Sequence, residues 1–138
     1  MKRLSLAVML SLVSSLSYAA DQQCLAQKYD AYVDASLDWY KDLATLTTAT
    51  YPDLEEVSQW FLAGRQHHFE LNRVAVHYYL ANEPAKVATG QPIEAWLQLE
   101  QQEIKSLSLR DDKLGHTANI TFDDRQAAPH EKNYQLRS

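Results

Sequence analysis

Glu100 is the residue whose setting in this sequence most suggests chemistry. It falls within Ile93, Trp96, Leu97, Ile104 and Leu107, spaced as one face of a helix. A carboxylate on an apolar face is costly unless it is paired or takes up a proton. With a raised pKa it would serve as an acid or base at the foot of a cleft. A structural ion pair between Glu100 and Arg73 is the plainer expectation. His68 stands on an apolar face of its own helix and is expected as a hydrogen-bonded core histidine. Glu100, His68, Arg73 and Tyr40 together form the candidate ligand-binding set, an aromatic pocket between helices.

Other chemistries find little support. His67 and Glu70 are three apart and would share a ligand, but His77 is ten residues from His67, about 15 Å along a helix. There is no HExxH and no cysteine pair, so no metal site is expected. No serine sits in a nucleophile turn, and the three glycines form no phosphate loop. Catalytic residues and cofactors are accordingly expected to be none. Both methionines lie before residue 10, which removes methionine as a copper or haem ligand downstream.

The start of the chain reads as an address. Lys2 and Arg3 precede an apolar run from Leu4 to Leu16, and Ser17-Tyr18-Ala19 places small residues where a signal peptidase reads. Residues 1–19 are expected to be a cleaved leader, which implies secretion, here to a bacterial periplasm. No later stretch is long and apolar enough for membrane insertion after cleavage. Without Lys2 and Arg3, eleven basic residues face eighteen acidic ones, a net charge of −7 against −5 for the whole chain. That balance argues against nucleic acid and anionic membrane as partners. Cys24 has no second cysteine to pair with and is expected to be free.

The elements that must position these residues are helices. Residues 22–50 carry a stripe of Ala26, Tyr29, Val33, Leu37, Tyr40 and Ala44, beside a ladder of Asp30, Asp34, Asp38 and Asp42. Residues 53–81 carry two stripes. One holds Leu54, Val57, Phe61, Gly64, His68, Leu71, Ala75 and Tyr78; the other holds Leu62, Phe69, Val76 and Leu80. A helix apolar over most of its circumference is covered on two sides, so it is the centre of a bundle or also meets a second molecule. Leu62, Phe69, Val76 and Leu80 are therefore the candidate interaction surface. Gly64 would let a neighbouring helix approach closely.

Pro52 suits a helix start, and Asp53 with Glu56 reads as a capping box. The short turn implies antiparallel neighbours whose facing residue numbers sum to about 103. That register sets Asp38 opposite Arg65 and Asp30 opposite Arg73, with Asp38–Arg65 the expected ion pair. A third helix is expected over 92–109. Residues 112–138 read as a mostly disordered tail, in which 117–122 alternate like a strand that would add to a partner's sheet.

The expectation is thus an all-α fold, a small antiparallel three-helix bundle over residues 20–111 with a flexible C-terminal tail. The function expected is non-catalytic: a secreted or periplasmic interaction or accessory factor that binds another envelope or secreted protein, or itself. The alternatives are a small-molecule binder with an aromatic pocket, and a small enzyme using Glu100 with a histidine.

Overall fold

The computed structural model describes residues 2–137, with side chains from residue 17 onward. The described residues are all-helical, without a strand, as the periodicity implies. There are four α-helices: α1 (Lys2–Thr50), α2 (Glu55–Asn82), α3 (Gln101–Leu107) and α4 (Lys113–Gln126). Short 3-10 turns cover Pro52–Leu54, Pro84–Lys86, Ile93–Ala95 and Asn133–Arg137. Most of the expected leader, residues 1–16, has its side chains outside those described. No helix among the described residues is long and apolar enough to cross a membrane.

α2 is the central helix. It packs on α1 along one side and on α4 along another, while α3 packs on α4. The two-sided apolar pattern of α2 demands this arrangement. Its stripe with Phe69, Val76 and Leu80 is buried, not left for a partner. Phe69 meets Tyr32 and Tyr40 of α1, at ring separations of 6.0 and 5.9 Å. Leu62, at the end of that stripe, is half-buried. Of the candidate interaction surface, Phe69, Val76 and Leu80 are therefore part of the hydrophobic core.

The α1–α2 turn closes with Tyr51 N–H donating to Thr47 O at 2.7 Å and Leu54 N–H to Tyr51 O at 2.9 Å. Asp53 does not cap α2 with its side chain. Its carbonyl instead accepts from Lys132 Nζ at 3.0 Å, which ties the C-terminal segment to this turn. At the far end, Glu83 N–H donates to Tyr79 O before Pro84 ends the helix.

Two differences from the expected bundle matter. Residues 92–109 are not one helix: a 3-10 turn at Ile93–Ala95 is followed by non-helical residues to Glu100, and only Gln101–Leu107 is α-helical. Trp96 anchors the irregular stretch. It is almost wholly buried, stacks on Tyr29 at 5.9 Å, and donates Nε1–H to Gln91 O. Burying one large ring offsets the loss of a helical stripe.

The stretch expected as a tail carries α4. Asp112 caps it by accepting from Gly115 N–H at 2.9 Å. Leu114 and Ala118 enter the core, Thr121 is buried, and Phe122 packs beside them. Positions 114, 118, 121 and 122 recur at a helical period, which overrides the strand-like alternation of 117–122. Gly115 is required at this corner. A Cβ there would lie 2.0 Å from Arg110 O, so only glycine admits the tight approach of the α3–α4 link.

Candidate functional site

The site grows from three positions on α2 and two on α4. Gly64, Arg65 and His68 lie within four residues of one another on α2, while Thr121 and Arg125 lie one turn apart on α4. Thr121 Oγ1 donates to His67 O at 3.2 Å, pinning the two helices together. Beside that bond a cleft of about 310 Å³ opens, walled by Trp60, Phe61, Ala63 and Gly64 and bearing Arg65, His68 and Arg125. Nothing lies within 4 Å of where a Gly64 Cβ would stand. Gly64 therefore does not admit a neighbouring helix; its missing side chain is part of the cleft's space.

Arg125 is held at two points. Nη1 donates to Leu99 O at 3.2 Å, and Nη2 lies 3.4 Å from His68 Nδ1. A guanidinium has only donors, so His68 Nδ1 faces it as the acceptor and the ring proton belongs on Nε2. Burial, then the charges of Arg65 and Arg125, push the His68 pKa down to about 4. Neutral His68 thus sits between two cations. Burial and the Arg65 charge also lower the Arg125 pKa from its ordinary value.

Among the described residues neither Arg65 nor Arg125 has a carboxylate partner within ion-pair distance. Arg65 lies over the rings of Phe61 and Tyr40, 5.5 and 5.9 Å from their centres. Asp124 also lines the cleft, but its carboxylate is engaged by His67 Nδ1 at 2.6 Å. A second cleft, of about 340 Å³, shares His68 and Arg125 and is lined further by Tyr29, Tyr32, Asn72 and Glu94.

The residues expected to bind a ligand are only partly brought together. Glu100 is exposed and is the N-cap of α3, in a capping-box arrangement in which Glu103 accepts from its backbone N–H at 2.9 Å. Among the described residues it lines neither cleft and pairs with no arginine. Arg73 is instead the hub of α1 and α2. It reaches Asp34 at 2.5 Å, Glu70 at 3.2 Å and Asp30 at 3.6 Å, while His77 meets Asp30 at 2.8 Å. Asp38 does not meet Arg65; it is exposed beside Lys41 at 3.6 Å. Tyr40 joins the cleft's aromatic wall through Phe61, at 5.9 Å, and through Arg65. Of the expected set, His68 lines the cleft and Tyr40 supports it. Arg125 lies where the sequence turns polar without an apolar period, so nothing local marks it as part of a site.

A second feature lies on α1. Trp39, Leu43 and Leu46, at steps of four and three, are 59, 40 and 64% exposed. Asp38 and Asp42 stand beside them, both exposed. Among the described residues, no group of three or more His, Cys, Asp or Glu is arranged to hold a metal ion. Cys24 is free and exposed. Comparison with protein-family models, with curated proteins and with solved structures gives no match to this chain.

Proposed function

We propose that this chain is a non-catalytic helical binding protein, exported through a cleaved leader, that docks another secreted or envelope protein on α1. The observation that carries the reading is the exposed row of Trp39, Leu43 and Leu46. Large apolar side chains aligned at helical spacing beside the buried stripe are the anchors a partner covers. Asp38 and Asp42 along the row favour a partner whose apolar contact is rimmed by basic residues. The net charge, −5 for the whole chain and −7 without Lys2 and Arg3, is consistent with that preference.

The leader fits this reading. Leu25 and Ala26 are the first described residues of the core, so cleavage after Ala19 leaves the packed bundle whole. What remains of α1 still spans the length of its packing on α2.

The test is a photo-crosslinking amino acid placed at Trp39 in the full chain, expressed in its native host. One heavier product containing a second protein is expected, and Leu43→Asp should abolish it with the thermal melt unchanged. Products containing only a second copy of this chain would replace the heterologous partner by self-association. A crosslinking yield no higher than from exposed Gln102 would remove α1 as the docking face.

A further inference from the structure

The cleft between α2 and α4 has a chemistry that docking on α1 does not use. Two guanidinium groups line it, neither in ion-pair contact with the one carboxylate there, Asp124, and a third polar group, His68, faces one of them. Positive charges brought together in a fold are unfavourable unless something compensates them. Part of the compensation for Arg65 is the face of Tyr40 and Phe61. Arg125 has only a backbone carbonyl and an imidazole nitrogen. Asp124 keeps its charge, but its carboxylate is turned to His67 Nδ1 at 2.6 Å and lies within ion-pair distance of neither arginine, so both guanidinium groups remain without a direct anionic partner.

We propose that this cleft binds a small carboxylate whose body is flat and apolar, with the carboxylate received by Arg65 and Arg125 and the body laid against Trp60, Phe61 and the gap left by Gly64. The planar fork of arginine matches a carboxylate with two parallel hydrogen bonds. The volume of about 310 Å³ lies at the lower edge of small-molecule sites, ~300–1,000 Å³. That suits a single ring with one charged group. The chain's overall negative charge disfavours an acidic protein segment at the same place, because such a partner brings many charges against an acidic surface. A small monoanion meets mainly the local positive field.

The experiment is isothermal titration of the full chain with benzoate, beside benzyl alcohol and inorganic phosphate. Benzoate should bind, benzyl alcohol should not, and phosphate should bind more weakly because it gains nothing from the rings. Arg65→Gln and Arg125→Gln should each weaken benzoate by about tenfold or more. Arg125→Gln also loses the bond to Leu99 O, so its melt is recorded alongside. Gly64→Met keeps both arginines and fills the gap; it should remove benzoate binding with the fold intact. Saturating benzoate should also raise the midpoint at which His68 titrates by NMR.

Three results would overturn the assignment: no benzoate binding at millimolar concentration, equal binding by Gly64→Met, or equal binding of benzyl alcohol. Phosphate binding as tight as benzoate would overturn the flat apolar body. A glutamate-rich peptide binding more tightly than benzoate would reassign the arginines to a protein partner. None of these outcomes bears on crosslinking at Trp39, so the two proposals stand or fall separately.

Discussion

Arg125 Nη2 lies 3.4 Å from His68 Nδ1, joining α4 to α2 across 57 residues of sequence. The contact sets a neutral imidazole against a guanidinium, with Arg65 on the same helix as the imidazole. Burial, then the charges of Arg65 and Arg125, disfavour protonation of the imidazole. Two clefts open to either side of this contact, and both are lined by this pair. The relationship carries the first prediction.

His68 has a folded pKa of about 4, against an ordinary value of 6.5. The unfolded imidazole therefore takes up a proton first as pH falls. The stability that depends on neutral His68 is complete above about pH 6.5 and is lost progressively as pH falls toward 4. Urea melts between pH 4 and 7 should show wild-type stability falling more steeply than that of His68→Gln. Parallel curves would mean that His68 titrates normally. In Arg65→Gln the NMR midpoint of His68 should move upward, because one repelling charge is gone.

Arg73 and Asp38 should separate clearly by mutation. Arg73 is the half-buried hub for Asp34, Glu70 and Asp30. Removing it leaves three carboxylates crowded at the α1–α2 seam. Arg73→Ala should destabilise by about 1–3 kcal/mol. Asp38 is exposed, paired only with Lys41 along its own helix, and Asp38→Ala should cost under about 0.5 kcal/mol. Chemical denaturation of both variants checks this, and equal losses would contradict the hub.

The two helical glycines should respond in opposite directions. A Gly115 Cβ would collide with Arg110 O at 2.0 Å, so Gly115→Ala should destabilise by about 2 kcal/mol or more. Gly64 meets open space, and Gly64→Ala should stabilise by up to about 1 kcal/mol through helix propensity alone. The sign of each change, read from thermal melts, is the test.

Truncation after Lys113 should be severely destabilising. It removes Leu114 and Ala118 from the core, together with buried Thr121 and partly buried Phe122. It also bares the side of α2 on which α4 packs. Each large apolar side chain so lost is worth about 1.5–3 kcal/mol. A truncated chain that melts with the same midpoint as the full one would return residues 113–126 to the status of a tail.

The sequence by itself determined the two long helices and the role of α2. Their apolar residues recur over many turns, and a pattern that long is insensitive to one odd residue. It also determined that α2 needs cover on two sides, because its two stripes leave only a narrow polar sector. The carboxylate ladder of α1 was legible in the same way, and so was the antiparallel turn at Tyr51-Pro52.

Tertiary structure decided what covers α2 and where the charges meet. Leu114, Ala118 and Thr121 make too narrow a stripe to announce a helix, and α4 exists because α2 and α3 bury it. Glu100 stands on an apolar helical face only if 92–109 is one continuous helix. Burying Trp96 in an irregular stretch starts α3 one residue after Glu100 and turns a supposed buried acid into an exposed cap. The pairing of Arg73 with Asp34, and of Arg125 with His68, depends on side-chain reach across helix seams. The turn register already sets Asp30 opposite Arg73, whereas nothing in local spacing signals the contact of Arg125 with His68, 57 residues apart, so the cleft lined by that pair was visible only once the helices were packed.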